Sequence, residues 1–250
     1  MKFHWQFVGW FGLIWLQAAV VAAQPSPSSP AAAEMTVPSH SIPERVESAP
    51  TVPVPSPQPT NFLPQQRPIV VIDPGHGGPD PGAVGIGGIY EKDIVLDISL
   101  QVASLLENQG IQAILTRQTD VDLGLQPRVE IANRARATVF VSIHANAISM
   151  SHPEVNGIET FHVAGNREGQ RLAEHIQQQL LTSTGMRDRG VKRARFYVLV
   201  RTAMPAVLVE VGFVTGQEDA LRLSDPATRT QMAQAIVQGI LDYLQANNRP

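Results

Sequence analysis

Two histidines each follow a short run of apolar residues. His76 comes after the run 69–73, in a loop rich in glycine and proline, and His144 comes after the run 139–143. Such β-branched runs are typical of strands buried on both faces, and open α/β sheets place ligands beyond the carboxyl ends of such strands. We therefore expect both imidazoles at one edge of a sheet. The small residues around His76 keep bulky side chains away from its ring.

Two glutamates occupy comparable places in the pattern. Glu91 opens a helical stretch, where the helix dipole alone would favour a carboxylate. Glu210 follows the apolar run 206–209, where an unpaired charge would be costly. Two histidines and one glutamate suit a catalytic zinc ion, which takes three protein ligands and leaves a fourth position for water. The remaining glutamate then suits a general base, and these residue types alone do not say which glutamate has which role.

The elements that must position these residues alternate along the chain. The hydrophobic periodicity predicts helices over residues 91–108, 126–137, 167–182 and 226–246. It predicts strands over 69–73, 112–116, 139–143, 158–163 and 206–211, with an edge strand or hairpin over 195–200. This alternation indicates an α/β fold, in which a mostly parallel or mixed sheet is sandwiched by helices in a single catalytic domain.

The N-terminal part of the sequence has a different character. Residues 1–23 contain Lys2, an apolar core and a small-residue end, which predicts a signal peptide. The core of about ten residues is shorter than the roughly 20 that a spanning helix needs, so we favour cleavage over retention as a membrane anchor. Residues 24–67 are rich in Pro, Ser and Ala and predict a disordered linker. We expect an exported protein, in the periplasm or cell wall, without stable membrane insertion after cleavage.

Five segments resemble the zinc-dependent N-acetylmuramoyl-L-alanine amidases of bacterial cell walls. In chain order they are VIDPGHGG, YEKD, SIHAN, GIETF and MPAVLVEVGF, within residues 68–246. The resemblance implies that Glu210 is the catalytic acid/base. It also implies that peptidoglycan is the substrate, cut between N-acetylmuramic acid and the L-alanine of its stem peptide. The zinc ligands that it implies are His76, Glu91 and His144.

Some members of this family carry a helix between the second histidine strand and the next strand, and an activator withdraws that helix from the site. Residues 145–156 are too few for such a helix and its connections. We therefore expect no activator protein of this helix-displacing kind. Four other polar residues near the strand ends fit turn or surface roles at least as well as roles in the site: Asp73, Asn146, Glu159 and Arg201.

Three other functions fit the sequence less well. A zinc endopeptidase acting within the stem peptide would use the same metal and base, and only its products would distinguish it. A non-catalytic wall-binding module usually exposes aromatic faces, but all three tryptophans lie within the predicted signal peptide. A dinucleotide enzyme needs a different glycine spacing after its first strand. The formal net charge of −3 argues against nucleic acid as a partner.

Overall fold

The computed structural model describes residues 67–247. The predicted signal peptide, and the predicted linker up to residue 66, lie outside the described residues. Among the helices that are described, none combines the length and apolar character needed to cross a membrane.

Six strands form one mixed sheet in the order β2-β1-β3-β6-β4-β5. Their bounds are β1 Ile69–Pro74, β2 Gln112–Leu115, β3 Val139–Asn146, β4 Ile158–His162, β5 Asp188–Arg193 and β6 Ala206–Phe213. The first four strands in this order run parallel, β4 runs antiparallel to β6, and β5 runs parallel to β4. The prediction of an α/β fold with a mostly parallel or mixed sheet is confirmed.

The helices cover both faces of the sheet. They are α1 Glu91–Asn108, α2 Leu125–Arg134, α3 Arg167–Thr184, α4 Tyr197–Arg201, α5 Gln217–Ser224 and α6 Pro226–Asn247, with a short 3-10 turn at Ile86–Gly88. The larger apolar core lies between the sheet and α1, α3, α5 and α6. A smaller core lies between the opposite face and α2 and α4. The sheet is therefore sandwiched, but the α2/α4 face is covered more thinly.

The three central strands bring the candidate residues together. Strands β1, β3 and β6 are almost wholly buried and pair in parallel, so their carboxyl ends meet at one edge. In this register the Cα of His144 lies opposite that of Glu210. Glu210 lies inside β6 rather than at its end, because the strand continues to Phe213.

The prediction of an edge strand over residues 195–200 is wrong. Tyr197–Arg201 forms α4, in which the consecutive residues Val198 and Leu199 are both buried against the smaller core. A strand would have turned one of them away, so tertiary packing overrides their β propensity. The edge strand next to β4 is instead β5, whose charged sequence DRGVKR shows no alternation of apolar and polar residues. Helix α5 was not predicted, because eight residues hold too few apolar repeats to stand out.

Candidate metal centre and general base

The loop after β1 places His76 against two carboxylates. Its Nδ1 lies 2.7 Å from Oδ2 of Asp80, and its Nε2 lies 3.1 Å from Oε1 of Glu91. Metal-bound histidines in proteins are commonly oriented by a carboxylate that binds the ring nitrogen not facing the metal. Asp80 occupies that place at Nδ1 of His76. The hydrogen bond to Glu91 raises the pKa of His76 to about 9.

Glu91 is buried at the first position of α1 and is hydrogen-bonded through both oxygens. Oε1 accepts from the backbone N–H of Ala145 at 3.1 Å and lies 2.9 Å from Nδ1 of His144, while Oε2 accepts from the N–H of Ala83 at 2.9 Å. Burial opposes ionisation, but the hydrogen bonds with His144 and His76 outweigh it and hold the pKa of Glu91 well below its usual range. Glu91 is therefore a pre-formed anion between two imidazoles.

The donor atoms of these three residues suit a metal ion. One ligand atom from each of His76, Glu91 and His144 lies within 4.8 Å of the others, and no other such group of three occurs in residues 67–247. Two imidazole nitrogens and one carboxylate oxygen are a donor set that zinc accepts. A cation bound there would replace the protons that the imidazoles now share with Glu91. The chemistry of the residues present therefore fits zinc.

Two glycines allow the loop that carries His76 to lie close to the side chains of His144 and Glu91. A Cβ on Gly75 would lie only 2.3 Å from Cε1 of His144, and a Cβ on Gly82 would lie 2.6 Å from Oε2 of Glu91. Neither distance leaves room for a side chain, and Gly82 also has a positive φ of 65°. The glycine-rich loop thus leaves room for the imidazoles and for Glu91.

Glu210 has the opposite environment. Its Oε2 is buried and has no hydrogen-bond partner among the described residues. Burial, as the largest effect, raises the pKa of Glu210 to about 7. A buried polar group without a partner is costly, and such groups are concentrated where a protein needs them for chemistry. The structure therefore brings Glu210 to the histidines without adding it to their hydrogen-bond network.

A pocket of about 300 Å³ opens on the α2/α4 face of the sheet. Its polar side contains three of the four predicted site residues: His76, His144 and Glu210. Its other side is apolar and includes Leu125, Phe196 and Tyr197, whose side chains are exposed to solvent. The pocket thus combines ionisable groups with an apolar wall, which is typical of a site for an organic substrate.

The sequence model of the N-acetylmuramoyl-L-alanine amidase family, Amidase_3, matches residues 70–242. The chain belongs to this family. The N-acetylmuramoyl-L-alanine amidase LytC of Bacillus subtilis is 44% identical over 176 residues, which cover 70% of this chain but only 35% of LytC. The resemblance inferred from the sequence motifs is thus confirmed at the level of the family.

Solved amidase structures agree over the same region. The amidase AmiC2 of Nostoc punctiforme matches with a TM-score of 0.69 and 50% identity, covering 71% of this chain and 97% of that one. The CwlD amidase of Clostridioides difficile, solved in complex with the GerS lipoprotein, matches with a TM-score of 0.69 and 32% identity, covering 72% of this chain and 100% of that one. The amidase fold therefore accounts for nearly all of the described residues.

Two of the four further polar residues near the strand ends, Asp73 and Glu159, are buried rather than at the surface. Asp73 is buried and pairs with Arg128, and Glu159 is buried and pairs with Arg189 and Lys192, so surface roles are excluded for both acids. A carboxylate within a strand that is otherwise apolar, as Asp73 is in β1, was the available signal. The arginine partners lie far away in sequence and gave none.

None of the four further polar residues, which include Arg201 and Asn146, belongs to the metal cluster. Arg201 lies over the ring of Tyr197, with 5.8 Å between its Cζ and the ring centroid. Asn146 accepts a hydrogen bond from the backbone N–H of Ala147. None of the other histidines in the described part of the chain belongs to the cluster.

Proposed function

We propose that this domain is a zinc-dependent amidase that hydrolyses the bond between N-acetylmuramic acid and L-alanine in peptidoglycan. One observation carries the proposal. In a chain of the amidase family, three zinc-type donors lie within 4.8 Å of one another, and two of them share a pocket with Glu210, whose buried Oε2 has no partner among the described residues. A structural salt-bridge cluster would not leave Glu210 without a partner.

The residues divide into two roles. His76, Glu91 and His144 would hold the zinc ion. When bound, zinc would polarise the scissile carbonyl and make water more acidic, which is the help that amide hydrolysis needs at neutral pH.

Glu210 would act as the general acid/base. Its carboxyl group lines the pocket beside the two histidines, and it would accept the proton of the attacking water and pass it to the amine of the departing L-alanine. A pKa of about 7 suits both halves of this transfer, because the group can accept a proton and release it near neutral pH. Amines are poor leaving groups, so this second transfer is as necessary as the first.

The surroundings of the pocket support an extended substrate. Aromatic faces stack on the apolar faces of sugar rings, and Phe196 and Tyr197 offer two such faces beside the polar groups. Residues 147–157, which join β3 to β4, contain turns but no helix. This supports an amidase that needs no activator of the helix-displacing kind.

The N-terminal residues place the activity outside the cytoplasm in this proposal. Residues 1–23 would direct export, and residues 24–67 would act as a flexible spacer between that signal and the catalytic domain of residues 68–246. Peptidoglycan is then the partner in the periplasm or cell wall, and no nucleic acid or stable membrane insertion is involved.

Mass spectrometry of digested peptidoglycan tests the proposed bond. Purified sacculi are incubated with the protein, with and without a zinc chelator. Peptides that begin with L-alanine, together with glycan that has lost its peptides, would support the proposal. Peptides cut internally, with L-alanine still attached to the sugar, would identify a zinc endopeptidase instead. Binding to the sacculi without any released product would indicate a wall-binding module.

A further inference from the structure

His76 has a main-chain conformation that its own residue type does not favour. Its φ is 57°, and the two following glycines, Gly77 and Gly78, have φ values of 125° and 60°. A non-glycine residue in the left-handed region is uncommon and persists only when the surrounding structure holds it there. The structure must therefore contain contacts that fix the backbone of this loop.

Arg128 of α2 supplies part of that support. Its Nη2 donates to the carbonyl of His76 at 2.7 Å, and its Nη1 donates to the carbonyl of Pro74 at 2.5 Å and to Oδ1 of Asp73 at 2.8 Å. Its Nε donates to the carbonyl of Leu123 at 2.9 Å. A single guanidinium thus binds both ends of the turn that carries the imidazole.

Arg117, which follows β2, binds the same turn from another side. Its Nε donates to the carbonyl of Pro74 at 3.1 Å and its Nη2 to the carbonyl of Gly75 at 2.7 Å. The same Nη2 donates to the carbonyl of Lys92 at 3.0 Å, next to Glu91 in the first turn of α1. Arg117 therefore ties the histidine loop to the segment that carries the glutamate.

The charge balance of this pair argues against a role in stability alone. Arg117 and Arg128 are each only 3% exposed, and Asp73, which is 1% exposed, forms a salt bridge with Arg128, whereas Arg117 has no salt bridge among the described residues. Asp73 is itself fixed by hydroxyl donors from Thr116 and Ser142. The carboxylates of Asp120, Asp73 and Asp93 act on Arg117 only from beyond salt-bridge distance, so its burial carries a desolvation cost that an apolar side chain would avoid.

We propose that Arg117 and Arg128 are positioning residues that fix His76, and with it the spacing to Glu91, for metal binding. This inference rests on the proposed zinc site. Lysine cannot replace them, because each guanidinium binds two or more carbonyls at once with a rigid planar fork, whereas an ammonium is a single point charge.

The test compares Arg128→Lys and Arg117→Lys with Arg134→Lys in the full chain. Arg134 lies on the same helix as Arg128, but its side chain is 72% exposed and forms a salt bridge with Glu130. Zinc affinity is measured by competition with a chromophoric chelator, and the visible spectrum of the cobalt(II)-substituted protein reports ligand geometry. We expect zinc binding about 10- to 100-fold weaker in the first two variants, with an altered cobalt spectrum, and no change in the control.

Thermal unfolding of the metal-free variants shows whether each one folds, and an osmolyte that favours the folded state is added to any that do not. A folded Arg128→Lys or Arg117→Lys variant with the zinc affinity and cobalt spectrum of the wild type would overturn the inference. A wild-type chain that binds no zinc would contradict the proposed function instead, so the two failures are distinguishable.

Discussion

Glu91 and Glu210 approach the same histidine from two regions of the molecule. Glu91, at the start of α1, contacts His144 and His76 and accepts two backbone hydrogen bonds. Glu210, inside β6, lies opposite His144 in the sheet, and its Oε2 has no partner within residues 67–247. The pKa of Glu91 is held below its usual range, whereas burial raises that of Glu210 to about 7.

One residue type can thus serve two purposes beside the same histidine. Hydrogen bonds to the charged form keep Glu91 ionised, as a metal ligand must be. Desolvation without such bonds leaves Glu210 ready to exchange a proton near neutral pH. The environment, and not the residue type, separates the proposed ligand from the proposed base.

The largest effect is expected for His144→Ala. The variant would retain two of the three ligands, and two ligands hold zinc poorly, so metal content and activity should fall together. The loss should exceed the roughly 10²- to 10⁴-fold cost of a missing general base. Zinc content and peptidoglycan release are measured on one preparation. His152→Ala, an exposed histidine beside Glu154, serves as the control and should keep both.

Glu210→Gln should greatly reduce activity without changing zinc binding by His76, Glu91 and His144. The amide is nearly the same size as the carboxylate but cannot accept the proton, so we expect a rate on the order of 10² to 10⁴ times lower with unchanged zinc content. Glu159→Gln is the matched control, because Glu159 lies opposite Glu210 on β4 yet bonds to Arg189 and Lys192. Full activity of Glu210→Gln would place the base elsewhere.

Replacing the two glutamates by leucine should change the stability of the metal-free protein in opposite directions. Glu210→Leu should raise the free energy of unfolding of the metal-free protein by about 1–3 kcal/mol, because it removes a buried carboxyl oxygen that lacks a partner. Glu91→Leu should lower it by a similar amount, since it leaves the N–H groups of Ala83 and Ala145 unpaired. Urea unfolding in the presence of a chelator measures both. Equal effects of the two substitutions would contradict the contrast between the two regions.

The gain from Glu210→Leu should depend on pH. The folded-state pKa of Glu210 is about 7 against an ordinary 4.5, so the folded protein binds more protons than the unfolded chain between these values. Wild-type stability therefore falls as pH rises through this window, and the stabilisation by leucine should be larger at pH 8 than at pH 5. A gain that does not change with pH would show that the carboxyl group titrates normally.

The smallest change is expected on removing the N-terminal residues. Both glutamates and every predicted ligand lie within residues 68–246, so this fragment should keep the rate of the chain that begins at residue 24. Comparing the two rates on the same peptidoglycan tests this. A large gain on truncation would show that the linker covers the site, and a soluble, zinc-loaded but inactive fragment would contradict the domain boundary.

The elements that could be predicted from the sequence are those whose buried residues follow a regular pattern. Strands β1, β3 and β6 are nearly continuous apolar runs, and α1 and α6 bury regular faces, so pattern alone located them. Strand β5 was missed, and helix α4 was predicted as a strand, because both elements depend on their packing partners. The charged β5 is held by its ladder to β4, and α4 by burial of two consecutive residues.

The clustering of the candidate residues was predictable for a related reason. Histidines and glutamates that follow or interrupt apolar runs stand out, and parallel strands bring their ends together. Arg117 and Arg128 did not stand out, because arginine in a polar stretch usually lies at the surface. Their burial depends on the backbone carbonyls of residues 74–76, which no pattern in the side chains records.

A crystal structure of the zinc-loaded protein, with anomalous scattering recorded at the zinc absorption edge, tests the division between the two glutamates most directly. The account predicts one zinc ion bonded to His76, Glu91 and His144, with the carboxylate of Glu210 in the same pocket but not bonded to the metal. A zinc ion bonded to Glu210, with Glu91 outside its coordination sphere, would contradict it.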